Sequence, residues 1–203
     1  MPLQNRVTPL GDLISDRARG LLYGNRGCLH DGDGTIRRSF AVKRWIACRL
    51  EFKGRQRRLL TPGCYTELFF LDEATAFAAG HRPCAECRRE DYNRFVEVVG
   101  LRAAAIDERL HCERLDASGA RRLYRVNVED VPDGAFVLND GEPWLVLGAE
   151  LLRWTPTGYT ERARRRPKGD VELITPPLLV DVLRSGWRGS EPLLHPSSAP
   201  EWV

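Results

Sequence analysis

With 203 residues, 42% of them hydrophobic and 29% charged, the chain has the balance of a packed globular protein; it lacks both the polarity of a disordered chain and the long apolar runs of a membrane span. The net charge of +3 is a small difference between 31 basic and 28 acidic residues, so any footprint for nucleic acid has to come from local clustering. Six cysteines, with no apolar leader at the start, lead to the expectation of a reducing, cytoplasmic setting in which metal ligation explains the thiols better than disulfides.

The opening segment is turn-rich. Gly24-Asn-Arg-Gly27 and Asp31-Gly-Asp-Gly34 punctuate short apolar pieces such as Gly20-Leu-Leu-Tyr23, which reads as short strands and loops. The doubled Asp-Gly lacks the spaced oxygen ligands and closing Glu of a calcium loop, and predicts a hairpin turn. Asn25, Arg26, His30 and Asp31 crowd one loop as a polar cluster. Alternation from Ile46 onward predicts a half-buried strand over 46–52, with Ile46, Cys48, Leu50 and Phe52 on one face. Lys53-Gly54 then turns the chain into Arg55-Gln-Arg-Arg58, and Thr61-Pro-Gly63 breaks it again before Cys64, a pattern that suits a two-stranded hairpin.

A strand over 65–71 runs into Asp72, an N-cap for an Ala-rich helix over 73–79 that Gly80 closes. His81-Arg-Pro-Cys-Ala-Glu-Cys87 is a tight knuckle. It leads into a helix over 88–99, with Tyr92, Phe95, Val96 and Val99 on one side, and a further helix over 101–115. Beyond it the texture turns to β-formers, with strands at 123–128, 135–138 and 144–147 and a strong hairpin signal, Asn139-Asp-Gly-Glu142, between the last two. Thr175 caps a short helix with Pro176 at its first position and 178–183 as its body. Pro192, Pro196, Ser197, Ser198 and Pro200 mark a loosely held tail. The expected fold is α+β: a zinc-knuckle-containing N-terminal part over 1–119, a small β-rich C-terminal module over 120–186, and a tail over 187–203.

Cys84-Ala-Glu-Cys87 has the form that aims two thiolates at one zinc ion, with backbone N–H groups left to hydrogen-bond the sulfurs. A redox pair would open a helix after a strand, whereas here a helix and Gly80 come first. Cys48 and Cys64 are the candidates for the third and fourth ligands, with His81 and His111 in reserve. Cys48, on the inward face of its strand, also reads as a small buried hydrophobe.

The stretch from Phe70 to Arg88, with its strand, Ala-rich helix and Gly-His-Arg-Pro-Cys-Ala-Glu-Cys knuckle, resembles the N-terminal metal-binding domain of the Ada DNA-repair methyltransferases. The likeness extends over about 45–94. Cys84 and Cys87 match that family's last two zinc ligands, and Gly80, Arg82 and Pro83 match their lead-in. The resemblance implies a structural four-cysteine Zn2+ site and DNA as partner. In the family the first cysteine pair is closely spaced, unlike Cys48 and Cys64, so its methyl-accepting activity is not carried over.

Pro83-Cys-Ala-Glu-Cys87 together with His111-Cys-Glu113 also contains both halves of the zinc deaminase signature, in reversed order. The alternative function is therefore a zinc-dependent hydrolase acting on a base or nucleotide, with Glu113 as proton shuttle. Two basic clusters, Lys53, Arg55, Arg57 and Arg58, then Arg164, Arg165 and Arg166 in an Arg-rich loop, are candidates to neutralise phosphates. Trp154, Tyr159 and Trp187 are candidates to stack on bases. The competing reading is that the charges are simply solvated and the aromatic rings belong to a core. On balance the sequence describes a zinc-binding protein whose partner is nucleic acid, DNA rather than RNA, and not a membrane.

Overall fold

The short apolar pieces of the N-terminal half assemble into one mixed sheet in the computed structural model, which describes residues 1–55 and 58–199. With strands numbered along the chain, the spatial order is β2 (Leu13–Ser15), β1 (Gln4–Val7), β5 (Leu68–Phe70), β3 (Leu22–Asn25), β4 (Ile46–Cys48) and β6 (Arg82–Pro83). The pairs β1–β5 and β4–β6 run parallel and the others antiparallel. Pro83, which has no N–H to give, lies in the edge strand β6, where a ladder tolerates it.

A second, wholly antiparallel sheet has the order β11 (Gly158–Arg164), β10 (Glu150–Thr155), β9 (Glu142–Leu147), β8 (Phe136–Asn139), β12 (Asp170–Leu173) and β7 (Tyr124–Asn127). Asn139 pairs with Glu142 across a two-residue turn whose central residues, Asp140 (φ 52°) and Gly141 (φ 79°), have the positive φ that the strand twist demands.

Among the described residues four helices, α1 (Glu73–Ala78), α2 (Arg89–Val99), α3 (Ala103–Arg114) and α4 (Pro177–Arg184), fill the space around the sheets. All six residues of α1 are buried. Ala76 joins the core of the first sheet, Ala74 and Ala78 the core against Phe136, Leu145 and Trp154, and Phe77 the core with Phe95, Trp144 and Leu179. A helix buried on every side has to be built from small residues, which explains its alanines. Asp72 caps it, accepting from Thr75 N at 2.8 Å, from Tyr159 Oη at 2.7 Å and from His195 N at 2.8 Å. Gly80 ends the turn at φ +85°, where a Cβ would stand 2.7 Å from Arg114 Cδ.

Several expectations are corrected. The strand from Ile46 stops at Cys48, because β3 pairs with it over three residues and β6 over only two; Leu50 is left exposed. Among the described residues no hairpin joins this strand to the segment before Cys64, since its neighbours are β3 and β6. The Arg-rich loop begins inside the strand β11, which runs through Arg162 to Arg164, and is a loop only from Arg165 onward. Strands β10 and β12 carried no reading from the sequence. Helix α4 takes Pro176 as its cap, one residue later than expected. The segment from Trp187 to Ala199 is held, not loose: Trp187 is buried, Ser190 N bonds Asp91 at 2.9 Å, and Ala74 N donates to Leu193 O at 2.9 Å. Its prolines discourage regular structure without preventing docking. Residues near the boundary at 119 form the turn between α3 and β7, and α2 and α3 share one core with the second sheet through Phe95, Ile106, Leu110, Val137 and Trp144. No helix among the described residues is long and apolar enough to cross a membrane.

Candidate metal centre

Parallel pairing of β4 with β6 sets Ile46 beside Arg82 and Ala47 beside Pro83, and Cys84 N donates to Ala47 O at 2.9 Å. The next residue on each strand is a cysteine. Cys48 is thereby delivered to the knuckle of Cys84 and Cys87, and the three Sγ atoms lie within 4.8 Å of one another, all in buried residues. Sulfurs about 2.3 Å from a tetrahedral zinc are about 3.8 Å apart, so the cluster fits that ion with little adjustment.

The knuckle backbone serves the sulfurs. Glu86 N lies 3.4 Å from Cys84 Sγ, the Cys87 N–H also reaches that sulfur, and the Arg49 N–H reaches Cys87 Sγ. Such N–H donors orient thiolates and spread their charge. Hydrogen bonds from Cys48 and then Cys87 hold the Cys84 thiol far down, while the same contact with Cys84 pushes Cys48 up. One thiolate shared between two thiols is what three sulfurs do in competing for protons; a divalent cation would take the protons' place and release them.

Neighbouring ion pairs fix the cluster. Arg82, almost wholly buried, makes a bidentate pair with Asp107 of α3 at 2.8 and 3.0 Å. Arg88, directly after Cys87, bonds both Glu73 and Asp91. The arginine and proline ahead of the cysteines thus have local tasks: one anchors the knuckle to α3, the other leaves the outer edge of the sheet without an N–H at that position.

All three cysteines line a cleft of about 370 Å³. Tyr23, Phe52, Tyr65 and Phe69 line it too, as do Arg44, Arg55 and the carboxylates Glu67 and Glu86. Tyr23, Arg44 and Phe69 were missed in the sequence. Alternation in β3 carries the relevant signal for Tyr23, since it leaves Tyr23 and Asn25 together on the half-buried face.

The other candidates fall elsewhere. Cys64 is exposed and does not join the three thiols, although its neighbour Tyr65 reaches the cleft. His81 is buried between Trp45 and Phe70, and its Nε2 accepts from Arg26 Nε at 3.2 Å. Burial, and then the charges of Arg26, Arg114 and Arg121, hold its pKa well below the ordinary value. His111 packs edge-on to Phe40, and Glu113 accepts from Arg109 Nε and Leu178 N, both at 2.8 Å. Neither half of His111-Cys-Glu113 meets the knuckle sulfurs among the described residues. Of the early polar cluster, Asn25 lines the cleft, Arg26 is buried away from solvent, His30 bonds Thr66 Oγ1 at 2.6 Å, and Asp31 closes its turn with Arg37.

The basic clusters separate as well. Arg55 pairs with Glu86 at 2.6 Å beside the cleft, and Lys53 lies over Phe52; Arg57 lies outside the described residues. Arg164 and Arg166 are exposed at the end of the second sheet, whereas Arg165 is bound to the carbonyls of Val128 and Val131. Trp154, Tyr159 and Trp187 are buried, with polar atoms bonded to Thr75, Asp72 and Glu73, so they are core residues and not stacking platforms. Each has an apolar body to bury and one polar atom to satisfy, which a core of this kind does.

No protein-family model matches the chain, and no curated protein or solved structure matches it. The fold and the site define an α+β protein of two six-stranded sheets with a buried three-cysteine cluster close enough to bind a metal ion.

Proposed function

We infer that the chain is a zinc protein that binds nucleic acid, DNA by preference, in the cleft beside its Cys48, Cys84 and Cys87 cluster. The observation that carries the reading is the composition of the cleft: three buried thiols next to aromatic rings and arginines. Zinc would supply charge to three clustered thiolates and cross-link β4 to the knuckle, a structural task. Aromatic faces stack on bases of any sequence, and guanidinium groups neutralise phosphates. The exposed Arg55–Glu86 pair can exchange its carboxylate for a phosphate at little cost. The resemblance of 45–94 to the Ada metal-binding domain points the same way.

The test is fluorescence anisotropy with labelled single-stranded and duplex DNA and RNA. Affinity is expected to fall about tenfold or more between low and physiological salt, and a paired Arg44→Ala, Arg55→Ala substitution is expected to weaken it for every sequence. No binding to any of these by the zinc-loaded wild type at low salt removes the reading.

One observation favours the hydrolase instead. Three protein ligands beside a cleft are the pattern of catalytic zinc sites, whereas four close a structural one. On that reading Glu67 or Glu86, which line the cleft, replaces Glu113 as the proton-transfer group. Turnover of a nucleoside by the wild type that vanishes in Glu67→Gln or Glu86→Gln, with zinc retained, would establish it.

A further inference from the structure

Arg88 illustrates how this fold ordinarily buries a guanidinium, with Glu73 at 2.5 Å and Asp91 at 2.8 Å. Arg26, Arg114 and Arg121 are treated differently. Arg26 and Arg114 are fully withdrawn from solvent, and among the described residues none of the three forms an ion pair with a carboxylate. Besides the ring nitrogens of His81 (from Arg26 Nε) and His111 (beside Arg114 Nη2), their hydrogen bonds go to carbonyl oxygens: Arg26 Nη1 to Gly11 O at 2.8 Å, Arg114 Nη1 to Gly80 O at 3.1 Å, Arg121 Nη2 to Ile174 O at 2.5 Å and to Ala78 O. Arg26 and Arg114 also lie over the Trp45 ring, at 3.8 and 3.9 Å from its centroid. His81, held neutral beside them, brings no negative charge, and the charge of Asp12, which acts on both Arg26 and Arg121, sits on an exposed residue that pairs with neither. Burial of several positive charges without a directly paired carboxylate is costly, because carbonyl dipoles and ring faces return only part of the lost hydration.

Four donors remain without a partner: Arg26 Nη2, Arg114 Nε, and Arg121 Nε and Nη1. Two of them approach the same glycine. Gly11, at φ +96°, has no side chain, and a Cβ there would stand 3.7 Å from Arg26 Nη2 and 4.0 Å from Arg121 Nη1. With no side chain at position 11, that residue puts nothing between the two buried guanidinium donors.

We propose that this cradle of Gly11, Arg26 and Arg121 holds a small inorganic anion, chloride being the best fit. A compact monovalent ion gives up its hydration more readily than phosphate does, and the donors that face it are closed to solvent. Gly11 belongs to the turn between β1 and β2, and Arg121 precedes β7, so the ion would join the first sheet to the second. It would be a structural counterion, independent of the cysteine cluster.

The test uses the full chain dialysed into sodium gluconate and titrated with sodium chloride while the melting temperature is read. A saturable rise is expected for the wild type and none for Arg121→Met or Gly11→Ala, the latter placing a methyl group in the cradle. Should either variant fail to fold, the wild type still decides: crystals grown in sodium bromide should show one anomalous peak in contact with Arg26 Nη2 and Arg121 Nη1. A map without that peak overturns the proposal. So does a peak unaccompanied by saturable stabilisation, which would be an adventitious ion only, and so does a chloride response that is the same in both variants and the wild type.

Discussion

Arg88 Nη2 lies 2.5 Å from Glu73 Oε1 with both side chains fully buried, so the residue that follows the last knuckle cysteine is bonded to the first residue of α1. Trp187 Nε1 donates to the other carboxylate oxygen at 2.9 Å, and Asp91 takes Arg88 Nε at 2.8 Å. The knuckle, the central helix and the C-terminal segment meet at one charge network. Arg88→Met leaves Glu73 and Asp91 buried without their cation, and the expected loss is about 3–5 kcal/mol. Urea unfolding measures it. Arg88→Met combined with Glu73→Gln is expected to lose less than the two single losses added, because the two groups act on each other. A loss under about 1 kcal/mol for Arg88→Met would show that the network carries little stability.

The cysteines should divide cleanly in a metal analysis. Cys48→Ser, Cys84→Ser and Cys87→Ser each remove a sulfur from the cluster, and each is expected to purify with much less than one zinc per chain. Cys64→Ser and Cys112→Ser change exposed thiols outside the cluster and should keep the metal. Structural zinc contributes on the order of 10 kcal/mol to folding, so chelation should open amide exchange at β4 and the knuckle before the second sheet. Zinc lost on Cys64→Ser would instead make it a fourth ligand.

Glu113 has a structural place, and its replacement distinguishes that from catalysis. Its Oε2 accepts from Leu178 N at the start of α4, where a negative charge is favoured, while Arg109 holds the other oxygen. Glu113→Gln is expected to cost about 1 kcal/mol and to leave zinc content unchanged. Melting temperature and elemental analysis read the two effects. Metal loss on this substitution would contradict the geometry described above.

His81 should make the protein acid-sensitive. Its pKa in the fold lies well below 6.5, first through burial and then through Arg26, Arg114 and Arg121. Above pH 6.5 the ring is neutral in both folded and unfolded chains and contributes nothing to the pH dependence. Below that, the unfolded chain binds a proton that the native state refuses, and stability falls by about 1.4 kcal/mol per pH unit until the folded pKa is reached. Unfolding of wild type and His81→Gln at pH 7 and 5.5 isolates this increment: the variant should lose roughly 1.4 kcal/mol less over that interval. Equal losses would mean that His81 protonates in the fold at its ordinary pKa.

The sequence by itself determined the elements whose causes are local. Asp72 followed by an alanine run gives a capped helix, Asn139-Asp-Gly-Glu142 gives a two-residue hairpin, and Cys84-Ala-Glu-Cys87 gives a knuckle; in each the residues that decide the geometry are within a few positions of one another. The α+β class follows from the same signals. Only the tertiary structure decided which third cysteine joins the pair. By sequence both Cys48 and Cys64 are candidates and Cys64, after its Pro-Gly turn, has the greater freedom to reach a metal; that Cys48 joins rests on the parallel pairing of β4 with β6, a contact between distant segments that leaves no mark on periodicity. It likewise decided that Trp154, Tyr159 and Trp187 are core, and that Arg26, Arg114 and Arg121 are buried among carbonyls and Trp45 instead of lying on a solvated face. A charged or aromatic residue looks the same in a sequence wherever it ends up; its surroundings come from packing, and packing is a property of the whole fold.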